Sequence, residues 1–486
     1  MRSFASMSRS AAFALVVVAG LVVGCGRSAP ARHGAIIPAK AAPTSASKTA
    51  RLVPGGFRVW SGIADRQCDG GRGISLRGPF GWRKLGPGYE EIVTVNAGTL
   101  AGNATVVAFS SFSPAKGFAV LDAVSRSCGW DNGFGDGGTA RIAIPSGFRT
   151  ESAPDHAEAG MATGQEGLVI ESVLARHGGG AIVAGSYKGA WLVGEVTAHG
   201  QLDPTFGRGG WSALPFEGAV TKVRQEPSGR IILAGGEHFS GCCTVNWAAA
   251  VSASGQLERS FGTDGRVELP TGESSSVQEL LHEPDGEIVV EIGGGNMGCW
   301  GTSLALLTPS GRPLPRFAGF AGRIAGKPGR FWEGLGLHAF IGDSYIEGEG
   351  FVMLGTGQRP CDEERPGVVV PATGILARFR ANGTIAGPVI RFPSRMYGTV
   401  SAFPDGQDVV LAEAPYNERA NLTLTALRPN GSTDVRFGDR GHARIHTPWE
   451  GLGSEDVSII KASPTELVLV ATNQEDNQVE ITHVRL

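Results

Sequence analysis

Cys68, Cys128, Cys242, Cys243, Cys299 and Cys361 could pair as disulfides or offer thiolates to zinc, while Cys25 stands apart at the end of an apolar run. Zinc needs ligands at short characteristic spacings, and neither a Cys-x-x-Cys pair nor a suitably spaced His accompanies these residues. Asp131 with Asp136, Asp264 and Asp439 lie beside Gly-rich turns, where carboxylates could hold a hard cation. The spacing of an EF-hand or a Gly-Gly-x-Gly-x-Asp array is absent, so turn capping accounts for them better than calcium. His177, His199, His238, His282 and His338 could move protons, yet they fall at unrelated positions of the pattern described below and converge by no rule of spacing. No Gly-x-Ser-x-Gly elbow, Walker loop or His-Glu-x-x-His stretch occurs, and Gly293-Gly294-Gly295 leads to no helix. No catalytic residue, metal or cofactor is therefore assigned. Trp82, Trp300 and Trp332 could stack on a sugar or peptide, or fill seams between sheets.

The start of the chain reads as an address. Arg2 and Arg9 precede an apolar stretch from Ala11 to Val23, too short to span a bilayer and right for a signal peptide. It ends in Leu21-Val22-Val23-Gly24-Cys25, which resembles the lipobox of bacterial lipoproteins: a branched apolar residue, a small residue, then Cys. The resemblance implies a signal peptide over 1–24 and diacylglycerol on the Cys25 thiol, leaving that residue as the lipidated start of the mature chain. Gly26 rather than Asp follows, so an inner-membrane retention signal is missing, which matters only in a cell with two membranes.

Residues 25–52 are rich in Ala, Pro and Ser and lack any amphipathic period, so they read as a flexible tether reaching about 25–30 Å. Residues 1–52 hold seven basic residues and no acid, which leaves 36 Lys and Arg against 46 Asp and Glu, a net charge of −10, on the remainder. Such a surface repels phosphate and argues against nucleic acid as a partner. The tether charges favour an anionic membrane surface or simply keep the linker soluble.

Beyond residue 53 no apolar stripe at helical spacing is sustained, whereas short apolar runs bounded by Gly, Pro, Asn or Asp recur. Seven of them are alike, anchored on Val106, Ile182, Ile231, Ile288, Phe351, Val409 and Leu467, at intervals of 76, 49, 57, 63, 58 and 58. Spacing this even marks a repeat architecture. Pro227-Ser228-Gly229, Pro284-Asp285-Gly286 and Pro404-Asp405-Gly406 precede three of the runs and supply hairpin turns. A second strand follows each run, as in Trp247–Val251, Ser303–Leu307, Ile375–Phe379 and Leu422–Ala426.

The most specific element is acid-x-x-Phe-Gly-x-x-Gly, found at Asp131–Gly138, Asp203–Gly210, Glu258–Gly265 and Asp434–Gly441. Phe134, Phe206, Phe261 and Phe437 are read as buried anchors, the carboxylates as acceptors of backbone N–H groups, and the glycines as residues with conformations closed to others. A degraded copy stands at Phe317-Ala318-Gly319. Together with the Pro-x-Gly turns and the apolar runs, this resembles the delta-60 repeat family of bacterial exported β-propellers over about residues 100–486. The resemblance implies architecture and export and is tied to no single activity. The first, second, fifth and seventh copies lack the Pro-x-Gly turn, and the fifth and sixth have weak or missing Phe-Gly elements.

The expected fold is all-β, a seven-bladed β-propeller over residues 53–486 built from repeats of about 55–60 residues. Because the last unit ends with the strand Val479–Val484, the segment around Phe57–Trp60 is expected to supply a strand that closes the ring. In an exported chain an even count of six cysteines favours disulfides. Cys243 and Cys299 are 56 apart, matching the repeat, so a bridge from Cys299 to Cys242 or Cys243 is the first expectation and Cys68 to Cys128 the second. The expected role is a lipid-anchored binding or scaffolding module at the cell envelope, offering a loop face to a protein or glycan. The alternative is an envelope hydrolase or lyase working at the central channel, and a structural spacer is a third.

Overall fold

The computed structural model describes residues 74–76, 92–99, 105–111, 118–125, 130–148, 167–176, 179–239, 243–269, 274–282, 285–296, 299–314, 338–341, 345–347, 350–358, 373–380, 386–393, 398–405, 408–415, 421–446, 457–463, 466–473 and 478–485. Cys25, Cys68, Cys128, Cys242, Cys361, Trp82, Trp332, His177 and the stretches 57–60 and 317–319 lie outside them.

Every named element is a strand. β1 (Ile74–Leu76) comes first in the chain and joins the last sheet. The first sheet is β2 (Ile92–Thr99), β3 (Thr105–Ser111), β4 (Phe118–Val124) and β5 (Thr139–Ala143). The second is β6 (Leu168–Ala175), β7 (Ala181–Tyr187), β8 (Ala190–Val196) and β9 (Trp211–Glu217). The third is β10 (Ala219–Gln225), β11 (Ile231–Phe239), β12 (Cys243–Val251) and β13 (Arg266–Glu268). The fourth is β14 (Ser274–His282), β15 (Ile288–Asn296) and β16 (Cys299–Leu307). In the fifth, β17 (His338–Ile341) and β18 (Tyr345–Glu347) both pair with β19 (Gly350–Gln358), followed by β20 (Thr373–Arg380) and β21 (Ile390–Pro393). The sixth is β22 (Gly398–Asp405), β23 (Asp408–Pro415), β24 (Asn421–Leu427) and β25 (His442–His446). The seventh is β26 (Val457–Ser463), β27 (Glu466–Asn473) and β28 (Gln478–Arg485), with β1 on its far edge.

Among the described residues these are seven antiparallel sheets, with strands in chain order apart from β18, which pairs with β19 beside β17, and β1, which lies on the edge of the last sheet. Each of the seven apolar runs is the second strand of its sheet. The continuous run follows from burial on both faces. In β11, Ile231 and Leu233 enter one core with the second sheet while Ile232 and Ala234 enter another with the fourth. In β19, Phe351 and Met353 face the fourth sheet while Val352 and Leu354 face the sixth. Successive residues of a strand point to opposite sides, so a strand sandwiched between neighbours must be apolar throughout.

First strands touch in sequence: β2 lies against β6, β6 against β10, β10 against β14, β14 against β18, β18 against β22, β22 against β26, and β26 against β2. β1 pairs with β28 through Ile74 opposite Ile481 and Leu76 opposite Val479. Ile74–Leu76 thus takes the edge of the last sheet, while the segment expected to close it, around 57–60, lies outside the described residues.

The acid-x-x-Phe-Gly-x-x-Gly element joins third strand to fourth, and it also latches onto the next sheet. In each copy the acid's N–H returns to the third strand: Asp131 to Ala123, Asp203 to Glu195, Glu258 to Ala250 and Asp434 to Ala426, at 2.8–3.0 Å. The Gly after the Phe donates outward, Gly135 N to His199 O, Gly207 N to Ser254 O and Gly262 N to Ser310 O, each at 2.8 Å. Those carbonyls precede Gly200, Gly255 and Gly311, glycines at positive φ in the turn after the following sheet's third strand. Phe134, Phe206 and Phe261 lie beneath them and are fully buried.

Phe437 departs from the expectation, being only half-buried, and Val435 beside it is 61% exposed. The fifth sheet lacks the Phe-Gly element, and Ile390 meets Gly431 of the sixth sheet in its place.

Candidate functional site

The densest collection of charged chemistry among the described residues runs along the seam between β10 and β14. Each of these first strands carries a bulge, at Thr221 and at Gln278, where the pairing register slips. The slip lets β10 present Lys222 and Arg224, and Glu226 just beyond the strand, along one face at a two-residue spacing. Arg224 Nη2 donates to Glu279 Oε1 at 3.0 Å, and its Nε donates to the Leu280 carbonyl at 2.6 Å. Lys222 Nζ stands 4.0 Å from Glu279 Oε2. Leu280 N also donates to Glu279 Oε1, at 2.9 Å, so the carboxylate is held from two sides. Glu291 of β15 stands opposite Glu279 in the strand pairing, and both acids are buried. Like charges facing across strands repel, and the Arg224 guanidinium offsets that at Glu279. Lys222 and Arg224 keep 34% and 37% of their side-chain surface exposed, leaving a cationic, hydrogen-bond-donating strip suited to hydroxyl or carboxylate groups.

At the turn end of the same seam, His282 Nε2 lies 3.4 Å from Glu226 Oε1. Arg230 binds Glu226 Oε1 at 3.0 Å through Nη1, Glu258 Oε2 at 2.8 Å through Nε, and the Pro309 carbonyl at 2.8 Å through Nη2. Glu258 is the acid of a Phe-Gly element. Its longer side chain reaches Arg230 instead of capping its own turn, unlike the Asp residues. Asp131 accepts from Gly133 N at 3.1 Å, Asp203 from Thr205 N at 2.9 Å and Asp434 from Arg436 N at 3.2 Å.

The second sheet has a related knot. Glu195 is buried, forms an ion pair with Arg176 Nη1 at 2.8 Å and lies beside Asp203. Burial, and then the hydrogen bond shared with Asp203, push the Glu195 carboxyl up to about 7 against the opposing pull of Arg176. Hydrogen bonds from Thr205 hold Asp203 below the ordinary range. Asp122 in β4 is pushed up to about 6 by burial, opposed by a hydrogen bond from Thr139. Asp434 is held well below the ordinary range, chiefly by hydrogen bonds from Arg436, with Arg428 adding to them.

Among the described residues the histidines named from sequence do not meet. His199 Nδ1 is 3.3 Å from the Gly133 carbonyl across the first latch. His238 sits in β11 and His338 opens β17, on separate sheets. Asp136, Asp264 and Asp439 fall in different Phe-Gly elements, and among the described residues no group of three or more His, Cys, Asp or Glu is placed to hold a metal. Cys243 and Cys299 open β12 and β16, the third strands of adjacent sheets, at equivalent positions. The seam itself escaped the sequence reading; its signal was Lys222-x-Arg224-x-Glu226, charges alternating with buried residues in a first strand.

No family model matches this chain. No curated protein matches it either. Among solved structures it is similar to the polysaccharide lyase Uly1, with a TM-score of 0.47 and 10% identity over 83% of this chain and 91% of that one. It is also similar to the first two extracellular domains of Drosophila Semaphorin 1a, with a TM-score of 0.39 and 9% identity over 82% and 87%. A third is an α-L-arabinofuranosidase of Fusarium graminearum, at 0.39 and 9% over 82% and 95%. These similarities identify neither an activity nor a ligand for this chain.

Proposed function

We propose that this chain is a seven-bladed β-propeller, exported and anchored through a lipid on Cys25, that binds a protein or glycan at the cell envelope. The observation that carries the propeller is the contact order of the first strands, which returns from β26 to β2. β1 added to β28 joins the two ends of the chain in one sheet, as a ring requires.

Binding is assigned to one end of the sheets. Connections of an antiparallel sheet alternate between its two ends, so first-to-second and third-to-fourth turns share one end. That end carries the Phe-Gly elements of the first, second, third and sixth sheets. The opposite end carries the second-to-third loops and the links between sheets, and these differ widely: 297–298 in the fourth sheet against 359–372 in the fifth, and Gly218 alone after β9 against 447–456 after β25. Partner specificity belongs where the repeat is not held constant. A disulfide from Cys299 to Cys242 or Cys243 is part of this reading.

The test is binding of cell-wall glycan fragments and purified envelope proteins by the full chain in liposomes, against a variant with 359–372 replaced by Gly and Ser. Binding lost with unchanged circular dichroism supports the reading; binding indifferent to the loop overturns it. A second reading, an envelope hydrolase or lyase, is favoured by His282 beside Glu226 with Arg230 orienting the carboxylate. It predicts glycan turnover that His282→Ala abolishes.

A further inference from the structure

Three successive first strands carry a bulge at one register, at Glu171 in β6, Thr221 in β10 and Gln278 in β14, so their residues can be matched one by one. Three residues past the bulge stand Leu174, Arg224 and Leu281, opposite Ile182, Ile232 and Val289. Each of those second-strand residues points into the core shared with the following sheet, and Leu174 and Leu281 pack against that core. In the third sheet the residue at that place is arginine. One residue past the bulge the series is Ser172, Lys222 and Glu279.

A guanidinium where the neighbouring sheets place leucine loses hydration and needs partners. Arg224 finds two on β14, the Leu280 carbonyl through Nε at 2.6 Å and Glu279 Oε1 through Nη2 at 3.0 Å. Its Nη1 makes no hydrogen bond among the described residues. Lys222 is held less closely, because its Nζ stands 4.0 Å from Glu279 Oε2, beyond hydrogen-bond length. Glu279 Oε1 accepts from Arg224 and from Leu280 N, while Oε2 accepts no hydrogen bond among the described residues. Two cations therefore lean on one carboxylate and leave donors at Lys222 Nζ and Arg224 Nη1, and an acceptor at Glu279 Oε2, unused. Ser172 shows that the strand itself needs no cation at the place of Lys222.

That set matches one ligand chemistry. Lys222 and Arg224 project from one face of β10 about 7 Å apart at the strand rise, which suits a carboxylate held from both sides. Glu279 Oε2 beside them can accept a hydroxyl hydrogen. A uronic acid sugar presents both groups on one ring. An acidic peptide side chain brings the carboxylate without the ring hydroxyls, and a neutral sugar brings the hydroxyls without the charge. β10 and β14 are edge strands of their sheets and lie against each other, so the unused groups open at the inner margin of the seam.

We propose that Lys222, Arg224 and Glu279 form a subsite for a uronic acid residue of a glycan, between the first strands of the third and fourth sheets. The two cations take the carboxylate, and Glu279 takes a ring hydroxyl. The inference rests on the glycan reading above and adds to it an acidic contact away from the variable loops.

The test is calorimetric titration of the full chain in phosphatidylcholine liposomes with tetragalacturonate, its methyl ester and tetraglutamate. Tetragalacturonate is expected to bind, less tightly as salt rises. The methyl ester and tetraglutamate are expected to bind at least about tenfold more weakly, as losing a charge-assisted hydrogen bond requires. Lys222→Ser, which copies Ser172, is expected to weaken tetragalacturonate by the same factor without lowering the melting temperature. Arg224→Leu with Glu279→Ser copies the second sheet at both places, so it is expected to keep the fold and lose the binding. Equal binding of acid and ester, equal binding of tetraglutamate, or a Lys222→Ser variant that binds as the parent does each overturns the proposal. If tetragalacturonate fails while cell-wall fragments still bind through 359–372, the subsite alone falls; if no glycan binds, the glycan reading falls with it.

Discussion

A Cβ added to Gly255 would stand 2.8 Å from Cε1 and Cζ of Phe206, a ring that belongs to the preceding sheet. Gly255 also sits at φ +81°, where an L side chain is strained. The Phe-Gly element is therefore a clasp between sheets as much as a turn within one.

Phe206→Ala is expected to cost about 3–5 kcal/mol, the usual range for emptying a buried aromatic site. Gly255→Ala should cost about 1–3 kcal/mol from overpacking. The two losses should not add, because a truncated ring leaves room for the new methyl. Phe437→Ala should cost clearly less than Phe206→Ala, since its ring is only half-buried. Denaturant unfolding reads all four; equal losses at Phe206 and Phe437 would contradict the clasp.

The Glu195 carboxyl gives stability a pH dependence. Its folded value of about 7 lies above the ordinary 4.5, so the folded state holds a proton that the unfolded state has released between those values. Stability should therefore fall as pH rises from about 4.5 to about 7, with a slope of at most about 1.4 kcal/mol per pH unit. Asp203 acts in the opposite sense and in a lower window, losing its contribution as pH falls below the ordinary Asp range. Glu195→Gln should flatten the slope between pH 5 and 7 in thermal melts; an unchanged slope would remove Glu195 from the account.

Ring closure through β1 predicts a sharp boundary for truncation. A chain begun at residue 65 keeps Ile74–Leu76 and should melt near the full-length value, whereas one begun at residue 77 loses the edge of the seventh sheet and should melt several degrees lower. Identical melting of the two would show that β1 contributes nothing to closure.

Arg224 and Glu279 cross from the third sheet to the fourth. Arg224→Ala leaves the buried Glu279 carboxylate without its guanidinium and should destabilise by about 1–3 kcal/mol. A double-mutant cycle with Glu279→Gln should show coupling of about 1 kcal/mol or more. Additive losses would place the two residues in separate roles.

The repeat made much of this legible. Seven evenly spaced apolar runs fall in the second strands because those strands are buried on both faces and cannot alternate with polar residues. The Phe-Gly element falls between third and fourth strands because its glycines are needed wherever the chain folds back in left-handed conformations. What stayed hidden lies between repeats. Nothing in the spacing of Phe206 says that Gly255 of the next unit covers it. Arg224 and Glu279 meet only through two bulges in different first strands, which leave no periodic trace. That the last unit ends with its own final strand calls for a closing partner without giving its position, and Ile74-Ser75-Leu76 is short and flanked by Gly-rich sequence.

The account stands on the first strands forming a closed cycle, and the distance between its first and last members tests that most directly. Spin labels carried by non-natural residues at Thr94 in β2 and Ser458 in β26 would report it by electron double resonance. Face-packed sheets lie about 10 Å apart, so a ring predicts a short separation of about 10–20 Å. Seven sheets stacked in an open row would place the labels about 60 Å apart, and that result would contradict the ring.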